Sequence, residues 1–308
     1  MLHGSVTALR KKSGTKLKTV LVTGSKGFTG YYAVKALAAR GYRVVGLDHG
    51  ESGPDVYGCD LTDPAAVKVV VEAVKPDYVM HLAGLAFVGH ADEMGFYRVN
   101  LFGTQNLLQA LAGLDKAPEK VLLASSANVY GTPGLEVLDE SLCPAPVNHY
   151  AMSKLAMEHM ARTWFDRLPI VLTRPFNYTG PGQDEKFLVP KIVAHFRRDA
   201  KFIELGNLDV SRDFSDVRDV MDAYIDLLEC SVRSVAVNVC SGTATPLREV
   251  VASMERVAGY SIEIQVNPAF VRANELPVLR GDNALLRQLT GRVPQIPLEE
   301  TLRTMYQA

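Results

Sequence analysis

The sequence predicts an α/β fold: a doubly wound parallel sheet with a smaller, discontinuous C-terminal domain. Short apolar runs alternate with longer, helix-like stretches from KTVLVTG, which begins at Lys18, to LPIVLTRP, which ends at Pro175. The apolar runs hardly alternate with polar residues, as is typical of parallel strands that are buried on both faces. After Pro175 the pattern loosens, and the later run VAVNVCSG is expected to return to the sheet.

Each element of this repeat has its own signal. The first helix is expected to end at Gly41, since glycine commonly follows the last helical turn. Strands that alternate with helices imply parallel pairing through helical crossovers. The strands are predicted at KTVLVTG, RVVGLD, PDYVMHLAG, KVLLASS and LPIVLTRP. The helices are predicted at YYAVKALAARG, AAVKVVVEAV, VNLFGTQNLLQALA and YAMSKLAMEHMARTWF.

The pattern predicts two domains. Residues 17–174 and about 215–242 form the expected nucleotide-binding domain, and about 175–214 with 243–308 form the expected substrate domain. FNYTGPGQ, at the first boundary, is rich in turn residues. Residues 1–16 are interpreted as a disordered lead-in or a tag.

The amino-acid composition is typical of a soluble globular protein. Of 308 residues, 47% are hydrophobic and 22% charged, and the net charge is −1, so a soluble globular protein is expected. Positive and negative charges nearly balance, so the charge gives no reason to expect nucleic acid or a membrane as a partner. No apolar run reaches the roughly 18 residues that a membrane helix needs. The four cysteines form no CxxC pair or zinc-ligand set, so we expect reduced thiols, a cytoplasmic protein and no metal: Cys59, Cys143, Cys230 and Cys240.

The stretch TGSKGFTG follows the first predicted strand and opens the first predicted helix. Gly24, Gly27 and Gly30 give it a GxxGxxG pattern. Glycine allows the tight turn and lets a pyrophosphate approach the amides at the helix N-terminus. The pattern therefore predicts a dinucleotide site, to which three other loop residues are expected to contribute: Lys26, Phe28 and Thr29.

Asp48 ends the second predicted strand and bears on the choice of cofactor. A carboxylate there can accept hydrogen bonds from the adenosine ribose and repels a 2′-phosphate, which favours NAD(H) over NADP(H). Lys26 and Arg43 leave NADP(H) open, because a nearby cation offsets that repulsion. The structural alternative is that Asp48 only shapes a turn. Three other residues are expected on the adenosine side of the cofactor: His49, Asp60 and Leu61.

The segment HYAMSK places Tyr150 and Lys154 four residues apart on one helix face. A phenol has an ordinary pKa near 10, and an adjacent ammonium favours the phenolate. Tyr150 can then exchange a proton with a substrate oxygen while a hydride moves at the attached carbon. Lys154 can also hold the nicotinamide ribose. A YxxxK pair is common by chance, but here it lies 24 residues after Ser126 in a glycine-marked nucleotide fold.

Four stretches, TGSKGFTG, HLAG, SSANVYG and YAMSK, together resemble an extended short-chain dehydrogenase/reductase with a Rossmann domain. The resemblance covers nearly the whole chain after residue 17 and implies a nucleotide-sugar substrate. It makes Ser126 the catalytic serine beside Tyr150 and Lys154, with Ser125 as the rival. It also implies that Asn100 braces the site. The segment from His81 through Leu82 and Ala83 to Gly84 is expected to line the cofactor, and His81 receives no role in proton transfer.

The pair Ala127-Asn128 limits the chemistry. The dehydratases of this family usually carry acidic residues here, which protonate a leaving hydroxyl and abstract a proton beside a ketone. Alanine does neither, and an asparagine amide does not exchange a proton near neutral pH. Water elimination is therefore not expected, whereas hydride exchange, which needs only the Ser–Tyr–Lys set and the cofactor, remains available.

The C-terminal phrases RPFNYTGPGQ, RDFSDVRDV and NPAFVRANELPVLRGDNALLRQLTG resemble the GDP-4-dehydro-6-deoxy-mannose reductase branch of the family. That resemblance implies reduction of a 4-keto group to give GDP-rhamnose. It implies that Asn177 and Arg272 bind the phosphates and that Arg212 binds the nucleotide end. Arginine suits this role because its planar guanidinium can hold two phosphate oxygens at once. Glu275 is expected to orient Arg272 or to touch a ribose. Three more residues are expected at the substrate: Val189, Lys191 and Asn207.

Three positions depart from the branch and leave the sugar open: Asn128, His149 and Tyr178. Two other functions compete with the reductase: an NAD-dependent nucleotide-sugar 4-epimerase, and a non-catalytic NAD(P)-sensing protein, which would have no need of the full Ser–Tyr–Lys set. The resemblance also implies a homodimer through the helices 98–112 and 150–165. Their apolar residues fit a dimer seam or the intrachain core equally well: Leu101, Leu107, Leu108, Leu111, Leu155 and Met160.

Overall fold

The structure is a computed structural model that describes residues 17–87, 92–270 and 277–308. The first half contains β1 (Thr19–Thr23), α1 (Phe28–Ala39), β2 (Arg43–Asp48), β3 (Val56–Gly58), α2 (Pro64–Val74), β4 (Tyr78–His81), α3 (Glu93–Phe96), α4 (Thr104–Ala112), β5 (Lys120–Ala124), β6 (Val137–Leu138) and α5 (His149–Arg162). A π-helical segment, Tyr97–Gly103, joins α3 to α4, and a 3₁₀ turn, Ala127–Tyr130, follows β5.

The second half is built from shorter elements. They are β7 (Ile170–Pro175), β8 (Asn177–Thr179), α6 (Leu188–Arg197), β9 (Phe202–Leu205), β10 (Ser211–Asp216), α7 (Val217–Glu229), β11 (Val235–Val239), β12 (Ala244–Pro246), α8 (Leu247–Ala258), β13 (Glu263–Val266), β14 (Val278–Gly281), α9 (Ala284–Thr290) and α10 (Leu298–Gln307). A 3₁₀ turn, Pro268–Phe270, follows β13.

Seven strands form one parallel sheet in the order β11-β7-β5-β4-β1-β2-β3. The order reverses between β1 and β4, so the crevice at the carboxyl ends of these strands is the expected ligand position of an open α/β sheet. This is the doubly wound parallel sheet that the sequence predicts. The run VAVNVCSG does return to it, as β11 beside β7.

Helices cover both faces of this sheet and exclude water from it. On one face, α2, α4 and α5 pack with the strands around Val71, Leu107 and Met157. On the other face, α1 and α7 pack around Leu37 and Tyr224. The strands therefore lie between two apolar layers, which explains their continuous apolar runs.

The remaining elements form a second apolar cluster with its own sheets. Helices α6, α8 and α10 pack together around Ile192, Met254 and Leu302. Strand β10 joins β12 and β14, and it also pairs with β8. This places Asn177 of β8 against Phe214 of β10. The division into two domains at the expected boundaries stays a prediction.

Two local features differ from the predicted elements. The turn-rich stretch FNYTGPGQ begins with β8, a three-residue strand whose partner β10 lies far along the chain, so no local pattern marks it. The predicted helix over 99–112 is π-helical up to Gly103 and becomes an α-helix only at Thr104. π-Helical segments often occur at functional sites, and this one carries Asn100.

Helix α1 begins where the backbone of the glycine loop is packed too closely for side chains. Gly24 has φ of 69°, a conformation that favours glycine, and a β-carbon there would lie 2.9 Å from the backbone of Ala83. A β-carbon on Gly30 would lie 2.0 Å from the carbonyl oxygen of Gly24. The loop therefore depends on glycine at both positions.

Within residues 17–87, 92–270 and 277–308, no helix combines the length and apolar character that a membrane crossing needs. Over the same residues, no three side chains from histidine, cysteine, aspartate or glutamate come together as a metal site.

Gly30→Ala tests the packing of the glycine loop. We expect it to lower the free energy of unfolding by about 1–3 kcal/mol, the usual cost of overpacking, and to weaken dinucleotide binding. Denaturant unfolding and a cofactor titration measure the two effects. Gly113→Ala is the matched control, because its β-carbon would approach no neighbouring atom closer than 3.4 Å. Equal stability of the two variants would contradict the packing argument.

Candidate active site

Ser126 lies directly after β5 and starts the 3₁₀ turn. Its Oγ accepts the backbone N–H of Asn128 at 3.1 Å, the hydrogen bond that begins the turn. Because Oγ is used there as an acceptor, its own hydrogen remains available to a different oxygen. The Ser126 side chain hydrogen-bonds the phenol of Tyr150, which is the contact that the predicted catalytic pair requires.

Tyr150 stands in the first turn of α5, where Asn148 caps the helix by accepting the N–H of Ala151 at 2.9 Å. The side chain is buried, and this burial raises the pKa of Tyr150 to about 12, although the hydrogen bond from Ser126 opposes the shift. The sequence predicts that Lys154 lowers this pKa. The structure shows the opposite direction: burial raises the pKa, and the phenol holds its proton at neutral pH.

Lys154 lies one helical turn further along α5. Its Nζ donates a hydrogen bond to the carbonyl oxygen of Ala124 at 2.8 Å. Burial lowers the pKa of Lys154 to about 8, and the carboxylate of Glu158 partly offsets that shift. A β-carbon on Gly84 would lie 3.3 Å from this Nζ, so the HLAG segment reaches the same point.

The two serines that the sequence leaves as rivals have different surroundings. Ser125 Oγ donates a hydrogen bond to Glu158 Oε1 at 2.6 Å and is buried. Ser126, by contrast, is directed toward Tyr150. This geometry favours Ser126 as the serine of the set.

His81 is held by two threonines. Its Nδ1 lies 2.7 Å from Thr23 Oγ1, and its Nε2 lies 2.8 Å from Thr104 Oγ1. Burial lowers its pKa to about 3, and the nearby Lys154 acts in the same direction. The imidazole is therefore neutral and fully engaged, in keeping with a structural role.

Asn100 is buried and ties the segment after β4 to α5. Its Oδ1 accepts the N–H of Leu85 at 2.9 Å, and its Nδ2 donates to Leu85 O at 3.1 Å and to Ser153 Oγ at 3.0 Å. Thr104 Oγ1 donates to the Asn100 carbonyl at 2.7 Å. The amide thus braces the backbone beside Gly84.

Asp48 lies at the end of β2 beside the glycine loop. Its Oδ2 accepts the N–H of Lys26 at 2.6 Å, and its Oδ1 accepts the N–H of His49 at 3.0 Å. The Lys26 ammonium points away, to the carbonyl oxygen of Glu51 at 3.1 Å. The carboxylate therefore shapes the loop, and it stands where an adenosine ribose is expected.

Asp60 and Leu61 follow β3 on the outer side of the predicted cofactor. Asp60 Oδ1 accepts both the N–H and the hydroxyl of Thr62 at 2.8 Å, and the hydrogen bonds from Thr62 lower the pKa of Asp60. Leu61 is buried in the core, so its side chain is not exposed to a ligand. Its carbonyl oxygen accepts Asn106 Nδ2 at 2.9 Å.

The glycine loop also contacts the chain that leads to the predicted substrate residues. Thr29 Oγ1 lies 2.9 Å from the hydroxyl of Tyr178, and the rings of Phe28 and Tyr178 are stacked 6.3 Å apart. Burial raises the pKa of Tyr178. Tyr178, one of the departures from the reductase branch, therefore joins β8 to the cofactor loop.

The segment after β4 approaches the glycine loop by its backbone. Leu82 N–H donates to Thr23 O at 3.2 Å, and Ala83 N–H donates to Thr23 Oγ1 at 3.1 Å. Leu82 and Ala83 are partly buried, and Gly84 is exposed. These contacts hold the HLAG segment beside the glycine loop, with Gly84 next to Lys154.

Two predicted substrate residues meet at the β8–β10 pair. Asn177 Nδ2 donates to the carbonyl oxygen of Asp213 at 3.1 Å. Arg212 precedes Asp213 on β10 and donates from Nη1 to Ser211 O at 2.9 Å. Asp213 is fully buried and accepts four hydrogen bonds, from the Ser241 N–H and hydroxyl and from the N–H groups of Gly242 and Gly281.

Three other predicted substrate residues lie on or near α6. The Val189 side chain is buried in the core around Ile192, and the assignment of this residue to the substrate site stays a prediction. Lys191 Nζ donates to Glu204 O at 2.8 Å and lies 4.4 Å from the centre of the exposed ring of Phe270. Asn207 Oδ1 accepts the N–H of Asp209 and closes a turn. The predictions for Arg272 and Glu275 fall outside the described residues.

The predicted dimer seam is mostly core. Leu107, Leu108 and Leu111 are fully buried within the chain. Leu101 and Met160 are partly buried against the same cluster, and Leu155 packs beside Tyr130 and Phe176. The three fully buried leucines therefore belong to the intrachain core, and a dimer seam through these helices stays a prediction.

Sequence reasoning missed a buried polar group beside the catalytic set. Glu158 follows Lys154 by four residues on the same face of α5, and its carboxylate is paired with Arg174. Arg174 also donates to the hydroxyl of Tyr130 at 3.0 Å. One signal was available: Arg174 is a charged residue inside the apolar run LPIVLTRP.

Curated relatives agree with the predicted family. The chain is 38% identical to the GDP-6-deoxy-D-talose 4-dehydrogenase of Aggregatibacter actinomycetemcomitans, over 88% of this chain and 91% of that protein. It is 35% identical to the GDP-6-deoxy-D-mannose reductase of Pseudomonas aeruginosa, over 93% of this chain and 95% of that protein. It is 29% identical to a UDP-glucose 4-epimerase of Rhizobium leguminosarum, over 94% and 96% of the two chains.

Solved structures agree with the fold and with a nicotinamide cofactor. The Pseudomonas aeruginosa protein RMD, solved with NADPH, superposes with a TM-score of 0.82 at 33% identity, over 94% of this chain and 98% of that one. The UDP-glucose 4-epimerase of Thermus thermophilus, solved with NAD, gives 0.83 at 29% identity over the same shares. Both cofactors therefore occur among the structural neighbours.

The profile of the NAD dependent epimerase/dehydratase family matches residues 20–240. This range runs from β1, through the glycine loop and the Ser126–Tyr150–Lys154 set, to the strand that closes the sheet. Sequence, fold and relatives thus lead to one assignment: this chain is a member of the NAD dependent epimerase/dehydratase family.

Proposed function

We propose that this enzyme reduces the 4-keto group of a GDP-4-keto-6-deoxyhexose. The observation that carries the proposal is the hydrogen bond between Ser126 and Tyr150, with Lys154 one turn further along α5. Two relatives act, by their names, on GDP-linked 6-deoxy sugars. The absence of acidic side chains at Ala127 and Asn128 argues against water elimination.

The residues present fit NAD(H) or NADP(H). Gly24 and Gly30 allow the tight turn that leads into α1, and the backbone N–H groups at a helix N-terminus can bind a pyrophosphate. Asp48 faces the expected ribose, and Lys154 and Gly84 border the expected nicotinamide end. NAD(H) is favoured because the carboxylate repels a 2′-phosphate. When bound in reduced form, the cofactor supplies a hydride to carbon 4.

The side chains perform the proton chemistry. The substrate ketone oxygen binds between the hydroxyls of Ser126 and Tyr150. Tyr150, which holds its proton because burial raises its pKa, gives that proton to the oxygen as the alkoxide forms. Lys154 holds the ribose and stabilises the phenolate that remains. Asn177 and Arg212 are proposed to bind the phosphate and nucleotide ends.

The alternative is an NAD-dependent nucleotide-sugar 4-epimerase, since UDP-glucose 4-epimerases are among the relatives and the structural neighbours. In that reaction the same tyrosine would first accept and then return the proton. A non-catalytic NAD(P) sensor is disfavoured because Ser126, Tyr150 and Lys154 are assembled in one place.

The deciding assay follows NADH or NADPH oxidation by absorbance, with GDP-4-keto-6-deoxy-mannose generated in place by its dehydratase. Stoichiometric oxidation is the expected result, and NMR of the product determines the configuration at carbon 4. GDP-rhamnose and GDP-6-deoxy-talose differ at that carbon alone. No oxidation, together with a purified protein that retains NAD, would replace the reductase by the epimerase.

We also propose a cytoplasmic homodimer. The four cysteines are free thiols, as is usual in a reducing compartment. On the two helical segments expected at the seam, the side chains of Phe102 and Met152 remain exposed and available to a second copy. Light scattering that finds only monomers at micromolar concentration would contradict the dimer.

Tyr150→Phe removes the proton donor and keeps the ring. We expect kcat to fall by about 10²–10⁴-fold, the usual contribution of general acid catalysis, while cofactor affinity stays within about twofold. Steady-state kinetics and a fluorescence titration with NADH measure the two quantities. Tyr32→Phe, which removes a hydroxyl that donates to Pro181 O, is the control. Near-normal turnover in Tyr150→Phe would refute the assigned mechanism.

The lowered pKa of Lys154 predicts that the affinity for NADH depends on pH. Its pKa is lowered to about 8, so it is charged below that pH and neutral above it. We expect NADH affinity to weaken by about tenfold or more as pH rises through 8, because a charge-assisted hydrogen bond of about 1.5–3 kcal/mol is lost. Lys154→Arg, whose guanidinium stays charged, should remove this limb. Constant wild-type affinity from pH 7 to 10 would contradict the assignment.

A further inference from the structure

Three side chains of helix α5, spaced four residues apart, contact the residues at the end of β5 and directly after it. Tyr150, Lys154 and Glu158 follow one another at intervals of four residues and lie on one face of the helix. Each contacts one of the consecutive residues 124–126. The pairs are Tyr150 with Ser126, Lys154 with the carbonyl oxygen of Ala124, and Glu158 with the hydroxyl of Ser125.

The third contact rests on a buried ion pair. Glu158 Oε1 accepts Arg174 Nε at 2.9 Å, and Oε2 accepts Arg174 Nη2 at 2.7 Å, so the guanidinium holds the carboxylate by two parallel bonds. The side chains are 1% and 3% exposed, respectively. Ser125 adds a third hydrogen bond to the carboxylate at 2.6 Å. The carboxylate therefore has one fixed orientation.

The arginine extends this anchor to the other side of Ser126. Its Nη1 donates to the hydroxyl of Tyr130 at 3.0 Å, and that hydroxyl donates to Asn238 Oδ1 at 2.7 Å. Tyr130 is fully buried and is the last residue of the 3₁₀ turn that Ser126 starts. One ion pair thus holds the residue before Ser126 and the end of the turn after it.

Stability alone is a poor reason for such a pair. Removing two charges from water costs free energy, and well-packed apolar replacements are often as stable or more stable. A rigid, bidentate pair does supply orientation. We propose that Glu158 and Arg174 are positioning residues that fix the Ser126 hydroxyl relative to Tyr150. This inference rests on the proposed catalytic role of that serine and deepens it.

The mechanism needs this precision because both hydroxyls act on one substrate oxygen. A displacement of about 1 Å at a reacting group can cost about 10²-fold in rate. Ser126 sits in a turn whose own hydrogen bond is a single contact to Asn128 N–H. The ion pair adds further support for Ser126. It connects the neighbouring residue Ser125 to α5, and it connects the end of the turn at Tyr130 to β11.

The test uses variants that keep the interior uncharged. Glu158→Gln alone would leave a buried arginine unpaired, so the main variant is the double substitution Glu158→Gln/Arg174→Met. Ser125→Ala is a milder second variant that removes one contact. Val71→Ala is the control for general destabilisation, because Val71 is fully buried in α2 and its apolar side chain makes none of the hydrogen bonds of the network.

A positioning role predicts that the network variants lower kcat and leave KM nearly unchanged. We expect the double variant to lower kcat by about 30–100-fold, with KM and NADH affinity within about threefold. Ser125→Ala should lower kcat by about 3–10-fold. Val71→Ala should lower the melting temperature with kcat within about twofold, since it removes apolar packing alone. An unchanged kcat in both network variants, or an equal loss in Val71→Ala, would overturn the proposal.

A second measurement separates positioning of Ser126 from any other effect. In a Ser126→Ala background, the network substitutions should lower kcat by no more than about threefold further, because the group that they position is gone. Independent, multiplicative losses would overturn the inference. If the double variant does not fold, Ser125→Ala is carried through the same cycle.

The cycle distinguishes this inference from the function on which it rests. It is run on whichever reaction the wild-type enzyme performs, 4-keto reduction or 4-epimerisation, since both use Ser126 and Tyr150. A wrong choice of reaction is seen in the wild-type protein, whereas a wrong positioning role is seen only in the variants.

Discussion

The contact between α5 and the end of β5 is the constraint on which the site depends. Side chains four residues apart on the helix meet consecutive residues 124–126 at the carboxyl edge of the sheet. At that edge a parallel sheet leaves a crevice, because the order of its strands reverses between β1 and β4. Any sliding of the helix along the strand would break the contact of Tyr150 with Ser126 and that of Lys154 with Ala124 at the same time.

Burial then sets the charge of each group. The same loss of water that raises the pKa of Tyr150 lowers those of Lys154 and His81. The tyrosine is therefore poised as a proton donor, which suits the reduction of a ketone. The buried carboxylate of Glu158 follows Lys154 on the same helix face and is paired with the guanidinium of Arg174.

The relatives of this chain are named for different reactions. A reductase, a dehydrogenase and several 4-epimerases are similar to it in sequence, so the fold alone does not settle the reaction. In this chain Tyr178 joins the cofactor loop to the strand that carries Asn177. That connection links the proposed cofactor site to the proposed substrate site, at a position where the sequence departs from the reductase branch.

The sequence alone determined the parallel sheet, the glycine loop, Asp48 and the spacing of Tyr150 and Lys154, because each is a local pattern of apolar runs, glycines or helical intervals. It named Ser126 by resemblance, with Ser125 as the rival, and it did not give the direction of the tyrosine's pKa shift. It also did not show that the side chains of Val189 and Leu61 are buried or that Glu158 pairs with Arg174. Those features are decided by tertiary packing, since hydrogen bonds and burial depend on residues that only the folded chain brings together.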